Sequence, residues 1–351
     1  MNLFHVVPKL IMRENKLIKN SIIKKVMVGV IYSLPILVIV IALLSSADLV
    51  FGNMVKQVFG NVRFVDIIVH TLRIGFIKIM AFSFFWGVTY STRTQAAYQN
   101  IEPKLDVVSV LTGLCLLNIV YGVFSYIQFA YLFGSVFNLL PEGLTHAEYA
   151  RRGFFEMVVV AIVNMAIVVG SLKFTKITGE SSGKVFKILN CGLIISTLVM
   201  LLSSFSRMYL YEEVYGYTYL RVFTHEFMLM LFIMLGVTLY RMWSNKLNLV
   251  KWYIVISLVS YVMVNYINVD VFIAQKNMER YYRTGKIDVI YLSEMSYDTT
   301  PYLEELTTSS DARISVTAKK AIENRKKALA LEGQWQSYNL SKQLAIGVLN
   351  K

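Results

Sequence analysis

The chain has 351 residues, of which 56% are hydrophobic and 16% charged, and its mean hydropathy is +0.54. Soluble domains contain about 45–50% apolar residues, so this composition excludes an ordinary soluble protein. The formal net charge is +13, and the two cysteines are Cys115 and Cys191. Both cysteines fall in apolar stretches without metal-ligand spacing, which excludes a disulfide framework and a cysteine metal site. We predict neither a metal nor a cofactor.

The apolar residues fall in blocks of about 20, the length that crosses roughly 30 Å of hydrocarbon. They predict an all-α integral membrane helical bundle of about seven transmembrane helices, with a small, mainly helical C-terminal tail. The predicted parts are a basic N-terminal segment (1–25), a transmembrane bundle (26–267) and the tail (268–351). Polar and apolar residues at helical spacing predict an interfacial helix near 51–73. The predicted spans are 26–47, 74–92, 107–134, 154–172, 185–204, 222–240 and 249–267.

Basic residues are distributed unevenly between the two ends of these spans. With a cytoplasmic N-terminus, the inner segments carry fifteen Lys and Arg against four acids, whereas the outer segments carry eight of each. The positive-inside rule favours this orientation. The positive charge is then a topology signal and an anchor to the lipid bilayer, and we exclude nucleic acid as a partner. An odd number of spans places the tail outside.

Ionisable and aromatic residues collect at the predicted outer ends of the spans. They lie in four stretches: 48–78, 131–156, 206–226 and 264–272. These stretches predict a polar pocket that opens outward. Its candidate residues are Glu148, Arg152, Glu156, Arg207, Tyr211, Glu212, Glu213, Arg221, His225 and Asp270.

The second stretch contains the capping-box spacing Thr145-x-x-Glu148. It predicts a short helix with Glu148, Arg152 and Glu156 at steps of four, which places an acid, a base and an acid on one face. Plain helix stabilisation and a charged rim at the mouth of a cavity are both open readings.

The third stretch is rich in tyrosine, and an interfacial aromatic belt explains that composition. The belt explains His225 and Glu226 less well, because they lie about one turn inside the sixth predicted span. Ionisable groups at such depth are costly and are usually paired or functional. The amides deeper in the spans, at Asn118, Gln128 and Asn164, are typical of hydrogen bonds between helices.

The tail has helical periodicity. A helix is predicted from Asp270 to Tyr282 with a stop at Gly285, and a lysine-rich amphipathic helix from Ala312 to Leu331. Residues 287–292 suit either a strand or a helix. The last segment, 333–349, either packs on the helix before it or lies at the membrane interface.

Several strings are similar to a known family. They are LLSSADLVF (43–51), YLFGSVFNLLPEGLTHAEYARRGFFEMV (131–158), SRMYLYEEVYGYTYLRVFTH (206–225) and INVDVFIAQKNMERY (267–281). They resemble uncharacterised bacterial multi-pass membrane proteins labelled domain of unknown function 4173, related to the 4153 group. The resemblance implies a bacterial plasma (inner) membrane location and no particular activity. One departure is Asn268-Val269-Asp270, where the family pattern has Asn-Pro-Asp.

Two classes of function fit the sequence. The absence of a recognisable catalytic motif favours a non-catalytic envelope sensor, accessory or regulatory protein that binds a ligand or protein partner at its extracytoplasmic face. The Arg, Glu and Tyr cluster favours a membrane-embedded enzyme or transporter acting on a lipid-linked or envelope substrate, because arginines bind phosphate. Whether the protein is an enzyme therefore stays open.

The predicted topology is testable with single cysteines. A membrane-impermeant maleimide is expected to label Ser309→Cys in intact cells and Ser182→Cys only after permeabilisation, because the tail is outside and the 173–184 loop inside. Labelling of Ser182→Cys from outside, or of Ser309→Cys only from inside, would contradict the seven-span topology.

Overall fold

The structure is a computed structural model that describes residues 22–59, 105–134, 154–244, 247–331 and 339–349. The second predicted span and the 135–153 segment lie outside the described residues. The chain divides into two compact units. The first takes in the described residues within 1–141, 152–204 and 238–247, and the second those within 205–237 and 248–351.

Six helices of the described chain are long and apolar enough to cross a membrane. They correspond to the first and the third to seventh predicted spans, and they confirm an all-α membrane bundle. Two short strands of the described chain pair in parallel, with Leu105 opposite Thr175. In order, the elements are α1 (Ile22–Ala47), α2 (Leu49–Phe59), β1 (Leu105–Asp106), α3 (Val107–Gly134), α4 (Phe154–Phe174), β2 (Thr175–Lys176), α5 (Glu180–Tyr215), α6 (Tyr219–Arg241) and α7 (Leu249–Tyr266).

Two of these helices differ from ordinary buried helices. α5 has 36 residues, which is about 54 Å and exceeds the roughly 30 Å of hydrocarbon. The predicted span within it is 185–204, which leaves about three turns at the Tyr215 end beyond that span. α7 has no buried residue within its unit, as expected for a helix that faces lipid.

The tail is helical, as predicted. Its elements are α8 (Val269–Thr284), α9 (Val289–Glu294), a 3₁₀ turn (Tyr297–Thr299), α10 (Thr300–Leu306), α11 (Ala312–Leu331) and α12 (Leu340–Leu349). The predicted stop of α8 is confirmed, because Gly285 adopts a left-handed φ of 68° and its N–H bonds the carbonyl of Tyr281. Residues 289–294 are helical rather than extended. Asp288 explains this, since its carboxylate accepts a bond from the N–H of Tyr291 at 3.0 Å and starts α9.

The tail packs around its own apolar core. Ile273, Leu292, Leu303 and Ala318 are fully buried there. Arg325 is only 7% exposed, and its guanidinium donates to three carbonyls at the end of α9 and to two threonine hydroxyls. One cation thus satisfies the last carbonyls of a six-residue helix that is too short to be stable alone.

Polar side chains of the first unit join its helices. The Tyr121 hydroxyl of α3 donates to the Asn164 Oδ1 of α4 at 2.6 Å, and the Asn164 Nδ2 donates to the Thr197 Oγ1 of α5 at 2.9 Å. The Asn118 Nδ2 of α3 donates to the carbonyl of Leu189 at 3.0 Å. These contacts agree with the interpretation of the amides as bonds between helices.

A second buried chain of hydrogen bonds surrounds Gln128. Its Nε2 donates to the Asp48 Oδ2 at 2.9 Å, and its Oε1 accepts from the Ser203 hydroxyl at 2.6 Å. Asp48 also caps α2, since its Oδ1 accepts from the N–H groups of Val50 and Phe51. Asp48 directly follows the first predicted span (26–47), so this carboxylate orders the chain as it leaves that span.

Asn164→Leu is expected to lower the free energy of unfolding by about 1–2 kcal/mol, because it leaves the buried Tyr121 hydroxyl without its acceptor. Thr197 keeps its bond to the Leu193 carbonyl. The double variant Tyr121→Phe/Asn164→Leu removes both groups and should lose less than the sum of the single variants. Denaturant unfolding in micelles measures all three, and strictly additive losses would contradict this network.

Candidate functional site

A tight turn, residues 216–218, connects α5 to α6 and is called the hairpin turn here. Gly216 adopts a φ of 85°, a left-handed conformation that favours glycine. A Cβ at this position would lie 2.7 Å from the Asn277 Oδ1. The Arg221 guanidinium of α6 donates back to the Gly216 carbonyl. The glycine is therefore required both by the backbone and by the close approach of α8.

The tail helix α8 holds this turn by two side chains. Asn277 accepts from the N–H of Tyr217 and donates to its carbonyl, each at 2.9 Å. Arg280 is 6% exposed and donates to the carbonyls of Glu213, Val214 and Lys286 at 2.9, 2.6 and 3.1 Å. Arg280 thus satisfies carbonyls that the end of α5 leaves unpaired. Burial lowers the pKa of Arg280, and the charge of Glu213 opposes that shift.

The contacts of Asn277 and Arg280 with the hairpin turn are called the clamp here, and further contacts extend it. The Tyr291 hydroxyl accepts from the N–H of Tyr219 at 3.0 Å, and the Tyr217 ring is part of the tail core. The tail therefore lies at the same membrane face as the hairpin turn. α7, which leads into α8, contacts α6 inside the membrane through a hydrogen bond from the Ser260 hydroxyl to Glu226.

Beside the clamp is a cleft of about 310 Å³, called the turn cleft here. The ends of α5 and α6, the hairpin turn and α8 form its walls. It combines aromatic rings with ionisable side chains. The described residues that line it are Phe205, Tyr209, Glu212, Glu213, Tyr217, His225, Phe272, Lys276, Glu279 and Arg283.

The exposed charges of the turn cleft are paired. Arg283 lies 3.0 Å from the Glu213 carboxylate, and Lys276 lies 2.7 Å from that of Glu279. The hydrogen bond to Glu213 raises the pKa of Arg283. Burial, followed by the Glu212 and Glu213 charges, raises the pKa of Tyr217 from 10.0 to about 12. The Tyr217 phenol therefore stays protonated at neutral pH.

The deepest ionisable pair of the turn cleft joins α5 to α6. The His225 Nδ1 lies 3.2 Å from the Glu212 Oε2, and its Nε2 lies 3.3 Å from the Phe205 carbonyl. Both partners are acceptors, and the tautomer decides which ring nitrogen donates. The side chain of Glu212 is 1% exposed, and its second oxygen has no hydrogen-bond partner in the described part of the chain.

The other predicted site residues are distributed more widely. Tyr211 packs on the Arg221 guanidinium at 4.4 Å and lies outside the cleft lining. Asp270 is in the first turn of α8, where its charge acts on Tyr291 and Arg325.

Two further predicted residues of the described structure, Arg207 and Glu156, do not line the turn cleft. Arg207 is 3% exposed and does not line the cleft. Glu156 belongs to the first unit, where the Ser46 hydroxyl lies 3.4 Å away. Glu148 and Arg152 lie outside the described residues. The structure therefore brings together Glu212, Glu213 and His225.

The sequence did not identify the contribution of α8. Asn277 and Arg280 hold the turn, and Lys276 and Arg283 line the cleft. The available signal was the spacing of positions 276 and 280, which lie on one face of the predicted helix, and of 283, which directly follows it. In a charged surface helix that spacing is common, so it does not by itself indicate a docking face.

The fold and the site together define a multi-pass helical membrane protein whose C-terminal tail is docked on a loop between two spans. Among the described residues, no group of three or more His, Cys, Asp or Glu is placed to hold a metal. The protein belongs to the family described as Domain of unknown function (DUF4153), whose profile matches residues 2–306.

The match supports the 4153 family, whereas the related 4173 label that the sequence suggested is not confirmed. The match ends with α10, so α11 and α12 lie beyond it. Searches of curated proteins and of solved structures return no match.

Arg280→Met is expected to release the tail from the hairpin turn. It leaves the carbonyls of Glu213, Val214 and Lys286 without this charged donor, which should cost about 2 kcal/mol. Hydrogen exchange of amides 213–219 and 273–284 should accelerate together. Arg313→Met is the control, because Arg313 is an exposed arginine of α11. Unchanged protection in Arg280→Met would contradict the clamp.

Proposed function

We propose that this protein is a non-catalytic sensor or regulatory protein of the bacterial plasma membrane, which binds a ligand or partner in the turn cleft on its extracytoplasmic face. The charge distribution of the loops supports a cytoplasmic N-terminus and an external tail. The observation that carries the proposal is the second oxygen of Glu212. It is a buried acceptor beside the cleft with no partner among the described residues, and such a group calls for a donor, which a bound molecule or a water can supply.

The chemistry of the turn cleft favours recognition. Its pairs Glu213–Arg283 and Lys276–Glu279 present both signs of charge at the rim, and aromatic rings lie beside them. A polar molecule that carries hydrogen-bond donors and some apolar surface fits this lining. Because α5, α6 and α8 all contribute, a ligand there would stabilise the docked tail over a released one. A signal could therefore pass between the external tail and the two spans.

A membrane-embedded enzyme is the second candidate. The Glu212–His225 contact favours it, since a carboxylate that orients a histidine is common in active sites. The Phe205 carbonyl argues against it, because it occupies the nitrogen that a general base would use. Chemical conversion of the bound molecule would distinguish the enzyme from the sensor.

The proposal is tested by native mass spectrometry of the protein extracted with its own membrane into nanodiscs. The variant Lys276→Gln/Arg283→Gln removes both cations of the cleft rim without altering the buried core. We expect the wild type to retain a small molecule and the variant to retain about tenfold less, which corresponds to about 1.4 kcal/mol.

The matched control is Lys327→Gln/Arg313→Gln, which removes the same charge from the exposed face of α11 and should behave as the wild type. Equal retention by both double variants, or no retained molecule in the wild type, would contradict a binding site in the turn cleft. A retained molecule that is converted during incubation would support the enzyme.

A further inference from the structure

A second cleft, of about 550 Å³, lies entirely within the tail. It is called the tyrosine cleft here, and it lies between the end of α8 and the segment that joins α10 to α11. Its lining is aromatic, hydroxylic and acidic. The described lining residues are Met278, Tyr281, Tyr282, Gly285, Glu305, Leu306, Thr308, Ser309, Ser310 and Asp311.

Two adjacent tyrosine rings form one wall. Their centroids are 5.8 Å apart and the ring planes are inclined by 46°. Both hydroxyls are anchored: that of Tyr281 bonds the Ser309 hydroxyl at 2.6 Å, and that of Tyr282 donates to Glu305. Tyr282 is nevertheless 64% exposed. Its orientation is fixed by a hydrogen bond while its ring is left open to solvent, which suits a contact surface rather than a packed core.

The charge in the tyrosine cleft has one sign. Glu305 and Asp311 are acids, and no Lys, Arg or His is among the described lining residues. The pKa of Tyr282 is raised, chiefly by its hydrogen bond to Glu305 and then by the burial of its hydroxyl. Such a lining repels phosphates and carboxylates and attracts cations. In this it differs from the turn cleft, whose rim carries both signs.

An aromatic wall beside carboxylates selects among cations. A metal ion requires converging oxygens at fixed distances, whereas one Asp311 oxygen already accepts the N–H of Arg313 at 2.8 Å. An alkylammonium group instead uses ring faces for its methyl or methylene groups and carboxylates for its charge. The paired tyrosines with Glu305 are half of the aromatic cage that recognises such groups.

We propose that the tyrosine cleft, with Tyr281, Tyr282 and Glu305 at its centre, binds an alkylammonium group. A free small amine and an amine-bearing lipid headgroup carry the same chemistry. The proposal is independent of the turn cleft, which uses other faces of α8 and other charges.

The test uses the full chain in phosphatidylglycerol nanodiscs, with choline and its neutral isostere 3,3-dimethylbutan-1-ol as probes in ligand-observed NMR and calorimetry. Choline is expected to bind about tenfold more tightly than the isostere, since only choline carries the charge. Tyr282→Ala and Glu305→Gln should each weaken choline about fivefold or more, whereas Tyr282→Phe keeps the ring and should retain most of the binding.

Glu323→Gln, at an exposed acid of α11, is the control and should bind choline as the wild type does. Phosphatidylethanolamine in the nanodiscs should compete with choline if the natural source is a lipid headgroup, and should have no effect if it is a free amine. Three outcomes would overturn the proposal. They are equal binding of choline and the isostere, undiminished choline binding by the variants Tyr282→Ala and Glu305→Gln, and no binding of choline in the millimolar range. Thermal unfolding verifies that each variant is folded.

Discussion

The architecture of the second unit depends on the capping of α5 by a side chain from a distant helix. A helix that continues past the hydrocarbon ends with several unpaired carbonyls, and burying them without donors would be costly. Arg280 supplies a fixed fork of donors to two of them and to the carbonyl of Lys286. Asn277 then pairs with both backbone groups of Tyr217. The same residues that stabilise the turn therefore hold the tail.

This clamp has a consequence for topology that does not depend on the total number of spans. The tail contacts the hairpin turn directly, so both lie at one face whatever precedes α5. Two spans, α6 and α7, lead away from that face and back to it, which agrees with the docking. The sequence argument placed the tail by an odd number of spans. Its contacts with the hairpin turn place the tail beside the third polar stretch directly. Only the assignment of that membrane face as the outer one still rests on the basic loops.

Much of the fold follows from sequence because its causes are local. Span lengths are set by hydrocarbon thickness, and Asn268 and Gly285 mark the ends of α8 by capping chemistry. Val269 occupies the first helical position, where proline is favoured, so the departure from Asn-Pro-Asp leaves this start intact. The site was only partly predictable because it is assembled by contacts between residues about 60 to 70 positions apart. Tyr217 looked like one member of an interfacial belt and instead enters the tail core.

The two clefts suggest why a membrane protein would retain such a tail. Recognition needs only fixed donors, acceptors and rings, and α8 supplies these on two of its faces. Molecules bound on those faces would act on one helix, and that helix holds the end of α5 through Arg280. Under both proposals the bound molecule contacts α8, and Arg280 is the residue that joins this helix to the carbonyls at the end of α5.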